Sequence, residues 1–193
     1  MSVGLVHKEL RYLAFFHFIL QLKSLKRKGW VVNAKIPDAE SVADHSYSMC
    51  AISMILSDIL NLDTEKVMRM VILHDLAESK IGDFTPEELS KEEKKMQEKN
   101  AMNCILSSLP SENRIIYDEI WKEYLENNTD LARFVHEMDK FEMALQARQY
   151  LMQGTSEKLL APFFESAIKY IKGSKHVIFM EILKALKSNA LEY

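Results

Sequence analysis

The chain has 193 residues, of which 48% are hydrophobic and 27% charged, and its formal net charge is -3. This balance is typical of a soluble globular protein and argues against the broad positive field of a nucleic-acid-binding protein. No apolar run approaches the roughly 20 residues that span a bilayer, and no signal-peptide pattern opens the sequence. We therefore expect one domain over residues 1–193 that associates with neither membranes nor nucleic acid.

Helices are expected because only 5 Gly and 4 Pro are present, so that turns must be few and the elements between them long. Apolar residues at a helical period predict a first helix over residues 5–28, ended by Gly29. A second helix is predicted from a cap at Ser41 to about Leu60. The basic residues at the end of the first helix complement its dipole, and they are Lys23, Lys26, Arg27 and Lys28.

Later elements follow the same logic. Asp63 is a good cap for a third helix over residues 64–80, and Thr85 with two following acids resembles another helix start. The charged segment 91–99 is interpreted as a solvated helix face, with a lysine-rich phosphate site as the weaker alternative. Four further helices are predicted over residues 112–126, 131–152, 156–172 and 174–189. No β alternation or internal repeat is present, so the predicted class is all-α, a bundle of seven to nine helices.

The two cysteines, Cys50 and Cys104, lie in apolar helical runs without C-x-x-C spacing. We expect them to be buried and reduced, which suits a cytoplasmic location. A disulfide between them is the open alternative.

A few polar residues interrupt apolar helical runs in a fixed order. The patterns are A-D-H, then H-D-x-x-E-x-x-x-x-D, then M-D-K-F-E. On a helix, Glu78 lies one turn after His74 on the same face, and Gly82 then breaks the helix before Asp83. A lone histidine or aspartate is usually a core residue or a cap, but imidazole and carboxylate groups that converge are suitable ligands for a divalent cation.

These patterns resemble the HD-domain phosphohydrolase superfamily, and the flanking residues are similar to its 5'-deoxynucleotidase branch. The matching stretches are Leu22–Trp30, Glu40–Tyr47, His74–Asp83 and Glu137–Ala147. The resemblance implies a metal-site core over about residues 22–150, with C-terminal helices over 156–190 packed on it. Those last helices and the lysine-rich segment match the branch less distinctly.

By this resemblance, four side chains hold one divalent metal, namely His45, His74, Asp75 and Asp139. Such ligands suit Mn, Co, Ni, Fe or Zn, and the bound metal would acidify a water and polarise a phosphoryl oxygen. The resemblance also implies an acid–base role for Glu78 and Asp83, or a second cation such as Mg held by both. We favour Glu78 as the catalytic group, and Asp83 as a positioning or metal residue with the main-chain carbonyl of Phe84.

Three residues are expected to contact the substrate. Arg27 suits a phosphate dianion through its planar guanidinium, although helix termination is an alternative. Trp30 either stacks on or walls off the nucleoside, or it packs in the core. Lys140 either neutralises phosphate charge or pairs with Glu137 or Glu142.

The implied activity is metal-dependent removal of the 5'-phosphate from (deoxy)nucleoside monophosphates, and the resemblance also implies a homodimeric enzyme with a small-molecule nucleotide substrate. Two alternatives stay open: an HD phosphohydrolase acting on alarmones or cyclic nucleotides, and a metal-binding helical module without catalysis. The remaining histidines are expected to lie outside the site. Among these, His136 is assigned a surface or supporting position, and no carboxylate partner is expected for His7, His17 or His176.

Overall fold

The computed structural model describes residues 3–85 and 87–187, and this part of the chain is helical without a β-strand. The predicted all-α class is therefore confirmed, with eight long helices and two short ones among these residues. None of these helices is both long enough and apolar enough to cross a membrane. The helices are α1 (Val3–Gln21), α2 (Lys28–Val32), α3 (Val42–Ile59), α4 (Thr64–His74), α5 (Glu78–Ile81), α6 (Lys91–Leu106), α7 (Ser111–Glu126), α8 (Asp130–Met152), α9 (Glu157–Ile171) and α10 (Val177–Lys187).

Helix α8 is the centre of the bundle, because it packs against α3, α4, α7, α9 and α10. Its 23 residues make it about 34 Å long at 1.5 Å per residue. Phe134 and Phe141 of α8 are fully buried and contact Phe179 of α10. The predicted terminal helices are thus present and lie on α8, although residues 188 and 189 fall outside the described part of the chain.

The prediction that the first helix continues to residue 28 was wrong, because α1 ends at Gln21. The carbonyls of Leu22 and Leu25 instead accept hydrogen bonds from the amides of Ala43 and Val42, at 3.2 and 2.8 Å. These amides belong to the first turn of α3, where no intrahelical acceptor exists. The segment after α1 therefore caps another helix, and Gly29 lies inside the short helix α2 rather than ending α1.

The two predicted caps are confirmed. Ser41 forms a capping box with Asp44 at the start of α3, and the Asp63 side chain accepts the Lys66 amide at the start of α4. These caps fix where each helix begins. They consequently fix how far along its helix each candidate ligand lies.

The single helix predicted over residues 64–80 is broken at Asp75, which was not expected. Asp75 has φ -105° and ψ 8°, so the chain leaves the helix before α5 begins at Glu78. Neighbouring residues in a regular helix point in different directions. The break lets the Asp75 carboxylate approach His74, with 3.0 Å between Oδ2 and Nε2.

Three smaller expectations also failed. Thr85 does not begin a helix, because the Glu88 side chain closes a local turn on its amide and the Ser90 capping box starts α6 instead. Cys104 is exposed and Cys50 is half-buried, and both thiols are free. In α7 the sequence predicts an apolar stripe of Ile115, Ile116, Ile120, Trp121 and Leu125, but the stripe is interrupted, since Ile115 is 55% exposed.

Candidate metal centre and active site

The four predicted metal ligands converge on one point from three helices. His45 lies in the first turns of α3, His74 and Asp75 end α4, and Asp139 lies in the middle of α8. The Nε2 atom of His45 is 3.4 Å from Asp139 and 3.8 Å from Asp75. Donor atoms of His45, His74 and Asp139 all lie within 4.8 Å of one another. The packing of α3, α4 and α8 therefore brings together ligands that are far apart in the sequence.

The two histidines are oriented in the manner of metal ligands. The Nδ1 atom of His74 lies 2.6 Å from the carbonyl of Val71, so it must donate and carry the hydrogen. The Nδ1 atom of His45 lies 2.5 Å from Glu142 Oε2. Both Nε2 atoms are buried and have no hydrogen-bond partner. Two bare nitrogens that face two carboxylates fit a divalent cation, and the partners on Nδ1 fix the tautomers that this requires.

Charge balance keeps the ligand carboxylates ionised. Burial raises the pKa of Asp75, but the charges of His74, His45 and Arg27 lower it well below its ordinary value. Burial also raises the pKa of Asp139, and Lys140, His45 and Arg27 reverse this effect. Both residues therefore present negative oxygens at neutral pH, as metal ligation needs.

The pKa of His45 lies above the ordinary value for histidine when no metal is bound. Burial and the charge of Arg27 lower its pKa, but the nearby carboxylates of Asp139 and Glu142 outweigh them and raise the pKa to about 9. A metal ion at Nε2 requires the neutral ring, so it must displace this proton.

The predicted phosphate ligands lie beside the cluster. Arg27 Nη1 is 3.8 Å from Asp75 and 3.9 Å from Asp139, and the Arg27 side chain is 15% exposed. Lys140 Nζ is 3.0 Å from Asp139 Oδ2, so its ion-pair partner is neither Glu137 nor Glu142, the partners considered from the sequence. Both cations face a cavity of about 510 Å³ that opens onto the cluster.

Glu78 and Asp83 line the same cavity without belonging to the tight donor cluster. Glu78 is 4% exposed, and its Oε2 is buried without a hydrogen-bond partner. Burial, followed by the negative charges of Asp75 and Asp83, raises its pKa well above the ordinary value. Asp83 accepts a hydrogen bond from the Lys28 amide at 2.6 Å and thus connects the segment after α5 to α2, and Phe84 lies next to it in the cavity wall.

Trp30 has the core position that was one of its two predicted alternatives. It is buried, donates from Nε1 to Glu40 at 2.8 Å, and stacks on Phe163 of α9 with 4.1 Å between ring centroids. These contacts are those of a core residue. One part of the side chain nevertheless lines the cavity near Arg27.

Several neighbours of the site were not singled out from the sequence. Glu142 orients His45, and its position three residues after Asp139 on one helix face was an available signal. Lys94 comes from the charged segment on α6, and its Nζ lies 3.4 Å from Glu78. No local feature distinguishes Lys94 from the other lysines there. Tyr124 is partly buried, and its ring meets that of His74 in an edge-to-face contact with 5.9 Å between centroids.

The other histidines lie outside the donor cluster and differ in their contacts. His136 stacks on Tyr124 and lies 2.9 Å from the Tyr124 carbonyl, which is a supporting position rather than a surface one. The prediction for His176 was wrong, because its Nδ1 lies 2.8 Å from Glu137 Oε2. His17 contacts Gln21, and the side chain of His7 lies outside the described residues.

Comparison with known proteins assigns the family. A model of the HD domain matches residues 19–177, and the chain belongs to the HD-domain family. The protein named 5'-deoxynucleotidase HDDC2 from Dictyostelium discoideum is 39% identical over 92% of this chain and 97% of its own length. The human protein of that name is 33% identical over 91% and 86% of the two chains.

Solved structures agree with this assignment. A Pyrococcus horikoshii protein has 31% identity and a TM-score of 0.75, covering 91% of this chain and 98% of its own. A conserved hypothetical protein from Pyrococcus furiosus has 27% identity and a TM-score of 0.76, covering 91% and 99%. The helical arrangement that assembles the cluster is therefore shared over nearly the full length of these proteins.

Proposed function

We propose that this protein is a metal-dependent phosphomonoesterase that removes the 5'-phosphate from (deoxy)nucleoside monophosphates. One observation carries the proposal: two bare histidine nitrogens and two ionised carboxylates meet beside Arg27 in one cavity. The HD domain and relatives named 5'-deoxynucleotidase support the same reaction and substrate class.

In this proposal His45, His74, Asp75 and Asp139 hold one divalent cation, with Mn, Co, Ni, Fe and Zn all compatible with nitrogen and oxygen donors. When bound, the metal polarises a phosphoryl oxygen and lowers the pKa of a coordinated water. Arg27 and Lys140 bind the phosphate dianion, since both cations already face the carboxylates at the cavity floor. When a substrate phosphate binds there, each cation contacts the phosphate in place of a carboxylate and so remains paired with an anion.

Glu78 is the proposed proton-transfer group. Its carboxyl is buried beside the cluster, has one free oxygen, and retains a proton to higher pH than an ordinary glutamate. Such a group can exchange a proton with the attacking water or with the leaving 5'-oxygen. Asp83, held by the Lys28 amide, is assigned to positioning, and it can bind a second cation such as Mg together with Glu78 and the Phe84 carbonyl.

The test is phosphate release from deoxyribo- and ribonucleoside 5'-monophosphates after metal removal and separate addition of Mn, Co, Mg or Zn. We expect release only with metal, and little or none from an Asp139→Asn variant. Asp130→Asn is the matched control, because Asp130 begins the same helix and is exposed, away from the cluster. Equal activity of both variants, or no release from any nucleotide, would contradict the proposal.

Three further features belong to the proposal. We place the enzyme in the cytoplasm, which two free thiols support. We also treat residues 1–193 as one domain, because α9 and α10 both pack on α8. A homodimer is proposed from exposed apolar side chains, which are concentrated on α1 and α3 and include Leu13, Phe16, Leu20, Ile55 and Ile59. Light scattering after size-exclusion chromatography measures this state.

A further inference from the structure

The cavity lining has two chemically different parts. One part, the floor, carries the ionised groups, with Arg27 3.8 Å from Asp75 and 3.9 Å from Asp139. The other comes from α9, where Leu159, Pro162 and Phe163 contribute carbon surface and Lys158 an amine. The volume of about 510 Å³ is within the range of small-molecule pockets and far exceeds the space that one phosphate group needs. The part formed by α9 therefore has room for a further group of the ligand besides the phosphate.

The cavity-lining residues of α9 form a regular stripe. Leu159, Pro162, Phe163 and Ser166 are separated by three, one and three residues, so they lie along one face of the helix, and Lys158 lines the cavity at the edge of this face. Phe163 is fixed by its stack on Trp30, at 4.1 Å and an interplanar angle of 23°. Because Trp30 lies three residues after Arg27, this contact links the wall directly to the proposed phosphate ligand.

The chemistry of the stripe fits a flat aromatic group with a few polar edges. Planar rings gain energy by stacking on aromatic and apolar side chains. Asn33, which directly follows α2, contributes an amide to the same wall, and Ser166 contributes a hydroxyl. Neither residue is buried, so each can exchange a hydrogen bond with water for one with a ligand.

We propose that this face of α9, together with Trp30, is the nucleoside subsite, which contacts the base while the phosphate lies at Arg27. This inference rests on the proposed function and extends it to residues outside the sequence motifs. Ser166, at the last position of the stripe, limits how large a base can be.

Two neighbouring substitutions on α9 test the subsite. Ser166→Trp places a large ring at the cavity wall, whereas Glu165→Trp places the same ring one residue earlier, at a position that does not line the cavity. Both positions are exposed, and replacing Ser or Glu by Trp changes helix propensity by less than about 0.7 kcal/mol, so both variants are expected to fold. Far-ultraviolet circular dichroism and the melting temperature check this for each protein.

The first readout is the kinetics of deoxyadenosine 5'-monophosphate hydrolysis with the metal that gives the highest activity. We expect Ser166→Trp to raise KM at least about tenfold with kcat retained, because only binding of the nucleoside is obstructed. Inhibition by inorganic phosphate, which reaches only the floor, should stay within about twofold of wild type. Glu165→Trp should match wild type in all three constants. Equal KM values for the two variants, or weaker inhibition by phosphate in Ser166→Trp, overturn the subsite.

The second readout needs no turnover. A phosphonate analogue of deoxyadenosine monophosphate, with a methylene group in place of the ester oxygen, is titrated into each metal-loaded protein by calorimetry. Its affinity should fall by about the same factor in Ser166→Trp and remain unchanged in Glu165→Trp. If wild-type protein hydrolyses no nucleotide, the proposed function fails, yet this titration still decides the subsite. Equal affinities in the two variants refute it.

Discussion

Two histidine–glutamate pairs connect α8 to the rest of the molecule, and only one of them belongs to the metal centre. His45 Nδ1 contacts Glu142 at 2.5 Å, and His176 Nδ1 contacts Glu137 at 2.8 Å. In each pair the glutamate comes from the same helix and the histidine is buried. A buried histidine with a carboxylate partner is therefore not by itself evidence of a site.

The difference lies in what surrounds the rest of each ring. The Nε2 atom of His45 is bare and faces Asp139 and Asp75. The ring of His176 instead lies edge-on to Phe134 and Phe179, with centroids 5.3 and 5.9 Å away. The first pair presents a nitrogen to a cluster of anions, whereas the second attaches the segment before α10 to α8. The same pair of residue types thus serves ligation in one place and packing in the other.

Replacing the two histidines should give the largest contrast. We expect His45→Ala to lose the metal and essentially all turnover, because a ligand atom is removed. His176→Ala should keep both while losing about 1–3 kcal/mol of stability, since Glu137 is left without its partner. Metal content by mass spectrometry, phosphate release and denaturant unfolding measure these effects. Retention of full metal content in His45→Ala would contradict the assignment.

A substitution at Glu78 tests proton transfer separately from metal binding at the centre that contains His45. Glu78→Gln should lower kcat by about 10²–10⁴-fold while the metal stays bound, because only proton transfer is lost. Burial and nearby carboxylates raise the folded-state pKa of Glu78, so its contribution to the stability of metal-free protein is lost as pH rises from about 4.5 through that raised pKa.

The same substitution should therefore stabilise the metal-free protein at pH 8, by about 3 °C in melting temperature. Calorimetric scans at pH 5 and pH 8 provide the comparison, since the difference between variant and wild type should be smaller at the lower pH. Unchanged turnover in Glu78→Gln would assign the proton transfer to another group, with Asp83 the first to examine.

Substituting each of the two glutamates of α8 should separate the two pairs further, with effects on metal affinity that are smaller than the loss of a ligand. Glu142→Gln should weaken metal binding about 10–100-fold, because the partner that orients His45 becomes neutral. Glu137→Gln makes the same chemical change on the same helix and should leave metal affinity within about twofold. Competition with a coloured chelator yields both affinities. Equal losses in the two variants would mean that the charge of α8, rather than the orientation of His45, controls the metal.

The pH dependence of metal binding tests the protonation of His45. In metal-free protein the pKa of His45 is about 9, so at pH 7 each binding event should release about one proton from this ring. Affinity should rise about tenfold per pH unit between 7 and 9 and then level off. Because this folded-state pKa is raised above the usual 6.5, the matching stabilisation of the metal-free protein is present below pH 6.5 and is lost between 6.5 and 9. Calorimetry in buffers of different ionisation enthalpy counts the protons, and a count near zero would refute the pKa.

Much of the fold was predictable because its signals are local. Ser41 and Asp63 cap α3 and α4 as expected, since a cap depends on residues within one turn. The end of α1 was not predictable in this way. Its periodicity continues to Leu25, but carbonyls of residues 22 and 25 bond to α3 instead, and no feature of the segment itself indicates that partner.

The candidate site shows the same division. His45, His74, Asp75 and Asp139 were identified because ordered motifs carry them, and the structure brings them together. Lys94 was missed, because its approach to Glu78 depends on how α6 packs against α5 rather than on its neighbours in the charged segment. The lining from α9 was missed for a similar reason, since a helical period identifies a buried face but not the cavity that it borders.

The backbone pairing between residues 25–27 and 40–42 determines where the chain can change length. The Arg27 amide bonds to the Glu40 carbonyl at 3.0 Å, and the Val42 amide bonds to the Leu25 carbonyl at 2.8 Å, so both ends of the intervening loop are fixed independently of its tip. Pro37 and Asp38 at that tip are exposed. Peptide inserted between them enlarges a loop that is already closed, at an entropic cost of about 0.6 kcal/mol per doubling of length. This tip is thus a natural point for attaching an affinity tag or a fluorophore without displacing Arg27 or His45.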